Sequence, residues 1–68
     1  MTKKGKVKWY SEEKGFGFIS PENGGHDVFI HSSEVQAAGY ETLYKNTNIS
    51  YIERSFNNKI QAFKIKTI

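Results

Sequence analysis

Sixty-eight residues hold one small domain, taken as residues 1–68, and a chain of this length buries only about 60% of the surface its unfolded form exposes, so no large substrate cleft is expected. The lack of cysteine removes disulfide frameworks, thiolate metal sites and cysteine nucleophiles together, and it suits a reducing, cytoplasmic setting. Ten Lys/Arg against seven Asp/Glu leave a charge of +3 that favours polyanions, while one Trp, four Tyr and five Phe are more rings than so small a core hides.

The chain opens on Met1-Thr2-Lys3-Lys4 and runs into Gly5-Lys6-Val7-Lys8 instead of an apolar segment, so neither a signal peptide nor a membrane span is expected, and the protein reads as soluble. Lys3, Lys4, Lys6, Lys8 and Lys14 gather positive charge at this end, opposed only by Glu12 and Glu13. Residues 6–10 alternate and read as a first strand, and residues 11–15 have turn composition. A second strand over 16–20 stops at Pro21, which cannot donate to a ladder, and at the turn-rich Glu22-Asn23-Gly24-Gly25. A third, over 27–31, returns antiparallel to it. Residues 32–39 alone carry helical signals: Ser32 or Ser33 could cap a single turn, expected as 3₁₀, and Gly39 could end it. Residues 40–48 read as a long loop, 49–56 as a fourth strand, Asn57-Asn58 as a turn and 59–66 as a fifth strand. Five short strands with almost no helix point to a small closed barrel, in which closure removes exposed edges.

Strand side chains alternate between faces, so Phe16 and Phe18 share one side and Gly15, Gly17 and Ile19 the other. In the next strand Phe29 and His31 lie opposite Val28 and Ile30, and the β-branched set suits a tightly filled interior. The rings are therefore expected to face water, with glycine on the inner side where the sheet coils closely. Trp9 shares parity with Val7 and reaches the outer face only if a bulge or sharp twist intervenes, so its side stays open, and Tyr10 is equally readable as partly core. Tyr44, Tyr51, Phe56 and Phe63 carry no spacing signal and are assigned to the core or to barrel closure. Lys6 and Lys8 read equally as solvated residues that protect an edge. A platform of Phe and His bordered by lysine suits unpaired nucleic acid, whose bases offer π-faces and whose backbone is anionic. A duplex, with its bases already stacked, fits poorly.

Lys14-Gly15-Phe16-Gly17-Phe18-Ile19 resembles the first ribonucleoprotein motif of RNA-binding proteins, with Pro21 in place of its final aromatic, and Val28-Phe29-Ile30-His31 resembles the second. The order of the two motifs is the reverse of that in RNA-recognition-motif domains, and the covering helices are missing, so that fold is excluded. With Gly5-Lys6-Val7-Lys8-Trp9-Tyr10 upstream, the whole chain resembles the cold-shock domain family, bacterial stand-alone members above all. The resemblance implies an all-β, five-stranded antiparallel OB-fold barrel. It also implies a stacking surface of Trp9, Phe16, Phe18, Phe29, His31 and Tyr40, with Lys6, Lys8 and Lys14 near the nucleic-acid backbone and Asp27 hydrogen-bonding a base. The implied partners are single-stranded RNA and DNA, bound by a monomer without cofactor, metal or small-molecule substrate, in the role of an RNA chaperone and a regulator of transcription or translation during cold adaptation. Three departures stand out: Ser32 replaces a usual aromatic and should weaken binding, Ser11 replaces a common asparagine, and Lys59-Ile60-Gln61-Ala62 stands where the family favours Gly-Pro-Gln-Ala.

Two rival readings come from other classes. A catalytic or metal site would draw on His26, Asp27, His31 and Glu34, but His26 lies on the opposite face from Asp27 and His31, and the set matches no common zinc pattern or triad. No phosphate-cradling G-x-x-x-x-G-K motif is present, so an ATP-driven enzyme is not expected. Alternatively, Phe16, Phe18 and Phe29 could bind a peptide or a second copy of the chain.

Overall fold

A computed structural model of the protein describes residues 2–68, with the side chain of Phe56 excepted, so the core assignment of Phe56 lies outside the described residues. Strand β1 spans Thr2–Ser11, β2 Phe16–Pro21 and β3 Val28–His31; a helix, α1, spans Ser32–Ala37, followed by β4 at Asn48–Phe56 and β5 at Lys59–Thr67. The strands close into a barrel in the order β1-β2-β3-β5-β4. Strand β1 is longer than residues 6–10 because Thr2, Lys3 and Lys4 pair with Ile52, Tyr51 and Ser50 of β4. A lysine-rich strand keeps its ladder while its outer side chains stay in water, and this is why composition hid it.

The sheet is mixed, where an antiparallel one was expected. Pairs β1–β2, β1–β4, β2–β3 and β4–β5 are antiparallel, and β3–β5 is parallel through Phe29 and Gln61. Directions cannot alternate all the way round a ring with an odd number of strands. One joint must be parallel, and it falls between β3 and the last strand, β5, where the ring closes.

The interior is filled by Val7, Ile19, Val28, Ile30, Val35, Leu43, Ile49, Tyr51, Ala62 and Ile65, so the β-branched residues of β2 and β3 point inward as their alternation predicts. Two bulges let the strands coil. On β1 the register slips between Val7, opposite Ile19, and Trp9, opposite Phe18, which leaves Lys8 as the extra residue. On β5 it slips between Phe63, opposite Ile52, and Lys66, opposite Ser50, and here Lys64 sits in the left-handed region at φ 49°. That second slip brings both Ala62 and Ile65 inside although they are three apart, and it leaves Phe63 half-buried under the Arg54 guanidinium, 5.9 Å from the ring centroid. Phe63 is thus outside the core, and so is Tyr44, which is 75% exposed because Leu43 is the residue that anchors its loop. The β4–β5 hairpin turns at Asn57 and Asn58, both at positive φ, the geometry that favours asparagine in a two-residue loop.

The helical segment is an α-helix and not a 3₁₀ turn, and its N-cap is His31, not Ser32 or Ser33. The His31 Nδ1 accepts from the Ser33 backbone N–H at 3.0 Å, which occupies the capping position a serine hydroxyl would otherwise take. At the other end Gly39, at φ 90°, donates to the Gln36 carbonyl, and Tyr40 donates to that of Val35, a Schellman closure that requires the glycine. No helix among the described residues is long and apolar enough to cross a membrane.

Tyr51 is 1% exposed, and its hydroxyl has no hydrogen-bond partner among the described residues. Burial pushes this hydroxyl's pKa up, with Glu53 adding to the effect. Since an unsatisfied buried polar group costs about 1–3 kcal/mol, Tyr51→Phe should leave stability unchanged or raise it by about 1 kcal/mol. Urea denaturation of the two proteins measures the difference, and a clear loss would mean that the hydroxyl is satisfied.

Candidate nucleic-acid interface

The outer face of β1, β2 and β3 carries one continuous set of rings. In the ladders Phe18 lies between Trp9 on β1 and Phe29 on β3, and Phe16 lies between Ser11 and His31. Ring centroids follow that register: Trp9 is 5.4 Å from Phe18 and 5.5 Å from Phe16, Phe16 is 5.7 Å from Phe29, and Phe29 is 6.3 Å from His31. Most contacts are edge-to-face, the preferred geometry of aromatic quadrupoles, while Phe16 and Phe29 are stacked at 25°. Phe16, Phe18 and Phe29 are half-buried, because each props its neighbours, and Trp9 and His31 are exposed.

The bulge at Lys8 settles the side on which Trp9 lies. Without it the indole would follow Val7 into the core, and with it Lys8 and Trp9 both turn outward. Gly17 makes this close approach possible, since a Cβ there would meet the Trp9 carbonyl oxygen and lie 2.7 Å from Tyr10 Cα. Tyr10 packs against the core from a half-buried position, and this burial, with Glu12 nearby, raises its pKa.

His31 has two tasks. Because Nδ1 accepts the Ser33 N–H, the neutral ring carries its proton on Nε2, which leaves a donor free on the outer side. The Ser33 hydroxyl also lies 3.0 Å from Nδ1 and reinforces the orientation. Lys8 Nζ and Asp27 Oδ2 are 2.8 Å apart, joining β1 to the residue just ahead of β3. Both are exposed, so the pair is weak and a ligand can displace it. Lys6 points outward opposite Ser20, and Lys14 is exposed in the β1–β2 turn, with its backbone N–H donating to Ser11 Oγ at 3.1 Å. The Ser11 hydroxyl therefore serves the turn.

Tyr40 is not part of this ring set. Its hydroxyl accepts the Thr67 backbone N–H at 3.0 Å and lies 3.2 Å from Thr67 Oγ1, while its ring packs against the core, so the residue ties the loop after α1 to the end of β5. Those hydrogen bonds lower its pKa. Ser32, at the position where an aromatic was expected, is half-buried over Gly15, to whose carbonyl it donates its backbone N–H at 2.9 Å. Of the residues considered for catalysis, Asp27 is engaged by Lys8 and His31 by Ser33. Lys4 and Lys45 are exposed cations outside the ring set. The alternation that places Lys6 outward places Lys4 beside it, whereas Lys45 stands in a loop without periodicity and gave no signal.

Known proteins match this one over nearly the whole chain. The family described as 'Cold-shock' DNA-binding domain matches residues 3–68. The cold shock-like protein CspA of Bordetella pertussis is 45% identical over 64 residues, covering 94% of this chain and 96% of its own. Cold shock protein CspV of Vibrio cholerae is 48% identical over 61 residues, covering 90% and 87%. The probable cold shock protein A of Mycolicibacterium smegmatis is 44% identical over 64 residues, covering 94% and 96%.

Proposed function

Because the chain belongs to the 'Cold-shock' DNA-binding domain family, whose members bind nucleic acid, we propose that its ring platform binds single-stranded RNA and DNA by stacking. The observation that carries this reading is the contiguity of Trp9, Phe16, Phe18, Phe29 and His31 on one face, with Lys6, Lys8 and Lys14 around it. Stacking on such rings contributes about 1–3 kcal/mol per base and tolerates sequence, and each lysine–phosphate contact adds a salt-dependent increment. The His31 Nε2–H supplies a donor toward a base carbonyl, and Asp27, once Lys8 turns to a phosphate, supplies an acceptor toward a base amine.

In this reading the protein acts as an RNA chaperone and as a regulator of transcription or translation, in cold adaptation, as a single-domain cytoplasmic monomer. Cold strengthens base pairing, and a protein that binds only unpaired strands draws the pairing equilibrium toward open RNA by mass action, without ATP. The role is binding, not catalysis, and calls for no cofactor.

Trp9 is the one tryptophan and sits within the proposed site, so its fluorescence reports directly. Titration with oligo(dT) should quench it, with affinity falling as salt rises by a log–log slope of about 0.7 per engaged phosphate, and a duplex should bind far more weakly. Equal affinity for duplex, or no response to single strands alongside binding to a peptide, would replace this reading with a different one.

A further inference from the structure

Past Trp9 and Phe18, the next outward-facing pair on the β1–β2 ladder is Lys6 with Ser20, and Lys4 lies beyond it. Here the surface opens into a groove of about 800 Å³ along β1, lined by Lys4, Lys6 and Lys8 of that strand and by Lys45 of the loop before β4. The backbone next to Lys45 is tied to β1, since the following Asn46 donates its backbone N–H to the Val7 carbonyl at 2.8 Å and Val7 donates to that of Thr47 at 3.0 Å. The loop thus continues the ladder along β1 just before the bulge.

The chemistry of the groove differs from that of the platform. Among the described residues its lining has no aromatic ring, and it sets four lysines against the Glu22 side chain, with the exposed Ile68 beside them. Among the described residues the ion pairs are Lys3–Glu53 and Lys8–Asp27, and neither involves Lys4, Lys6 or Lys45. A site with cations and no stacking surface recognises a phosphodiester backbone, not a base. Successive outward residues on a strand are about 7 Å apart, a step that suits the phosphates of an extended strand.

The geometry points to a second, backbone-only section of the interface, in which Lys4 and Lys45 with Lys6 hold the phosphates of a strand that has run off the platform past Trp9. This rests on the platform binding a single strand, and it makes the footprint longer than the rings alone provide. The groove lengthens grip without adding sequence preference, because phosphates are the same under every base.

The test compares wild type with Lys4→Gln/Lys45→Gln, both exposed positions, using oligo(dT) of about 4 to 16 nucleotides, the range of site sizes per OB fold. In wild type the salt slope should steepen with length. In the double variant it should be shallower by about 1.4 on the longest oligonucleotides, two contacts at about 0.7 each, with affinity for the shortest bound oligonucleotide unchanged. A wild-type slope that stays constant with length, or a variant that loses affinity equally at all lengths, overturns the groove and leaves the platform standing. If poly-glutamate binds wild type but not the variant while the long-strand slopes coincide, the groove belongs to an acidic protein segment instead. Failure of wild type to bind any length removes the platform reading itself.

Discussion

Gly17→Ala is expected to lower the unfolding free energy by about 3 kcal/mol, enough to leave so small a barrel largely unfolded on warming. The added Cβ would meet the Trp9 carbonyl oxygen and stand 2.7 Å from Tyr10 Cα and 2.9 Å from Tyr10 Cδ1. Two of these obstacles are backbone atoms of the paired strand, so no rotamer change relieves the clash, and β1 must move off β2 just after the bulge that turns Trp9 outward. The damage therefore reaches the platform as well as the core. Urea denaturation followed by far-UV circular dichroism measures it, and a midpoint equal to wild type would mean that the two strands are less closely apposed than these distances require.

The second large effect is on binding. Phe16→Ala and Phe29→Ala should each weaken single-strand affinity by about 1–3 kcal/mol, roughly five- to 150-fold, as stacking rings do. Neither ring is fully buried, but each touches its neighbours, with Phe16 against Trp9, Phe18 and Phe29. An aromatic pair contributes about 0.5–1.5 kcal/mol and each of these rings makes three, so a stability loss of about 2 kcal/mol is expected, below the 3–5 kcal/mol for deleting a core phenylalanine. Fluorescence titration of Trp9 together with denaturation of the same samples separates the two. A variant that melts early yet binds normally when folded would show that these rings serve packing and not stacking.

Strict alternation in β2 and β3 made the outward turn of Phe16, Phe18, Phe29 and His31 readable from sequence, because the β-branched residues between them have nowhere else to go than the interior. The side of Trp9 was not readable. It depends on one extra residue at Lys8, and a bulge leaves no mark in composition. The same limit hid the slip at Lys64, which displaces Phe63 from the core that its hydrophobicity suggested. His31 was visible as a surface ring but not as a cap, since imidazole is an uncommon choice where serine stands next to it twice. Tyr40 was placed on the stacking face by resemblance, and its hydrogen bonds to Thr67, 27 residues away, are long-range contacts that no local pattern encodes. The Lys8–Asp27 pair is of the same kind.

The parallel joint between β3 and β5 works as a seam. It is registered through a single residue pair, Phe29 with Gln61, so one of the rings stands on the joint itself while the others sit on β1, β2 and the end of β3. With so sparse a ladder, this joint is where the cylinder is expected to open first, between two distant stretches of chain. Opening there would unzip the wall behind the rings without parting one ring-bearing strand from the next. A base stacked on Phe29 would feel that opening, so grip and closure of this small fold meet at a single ring.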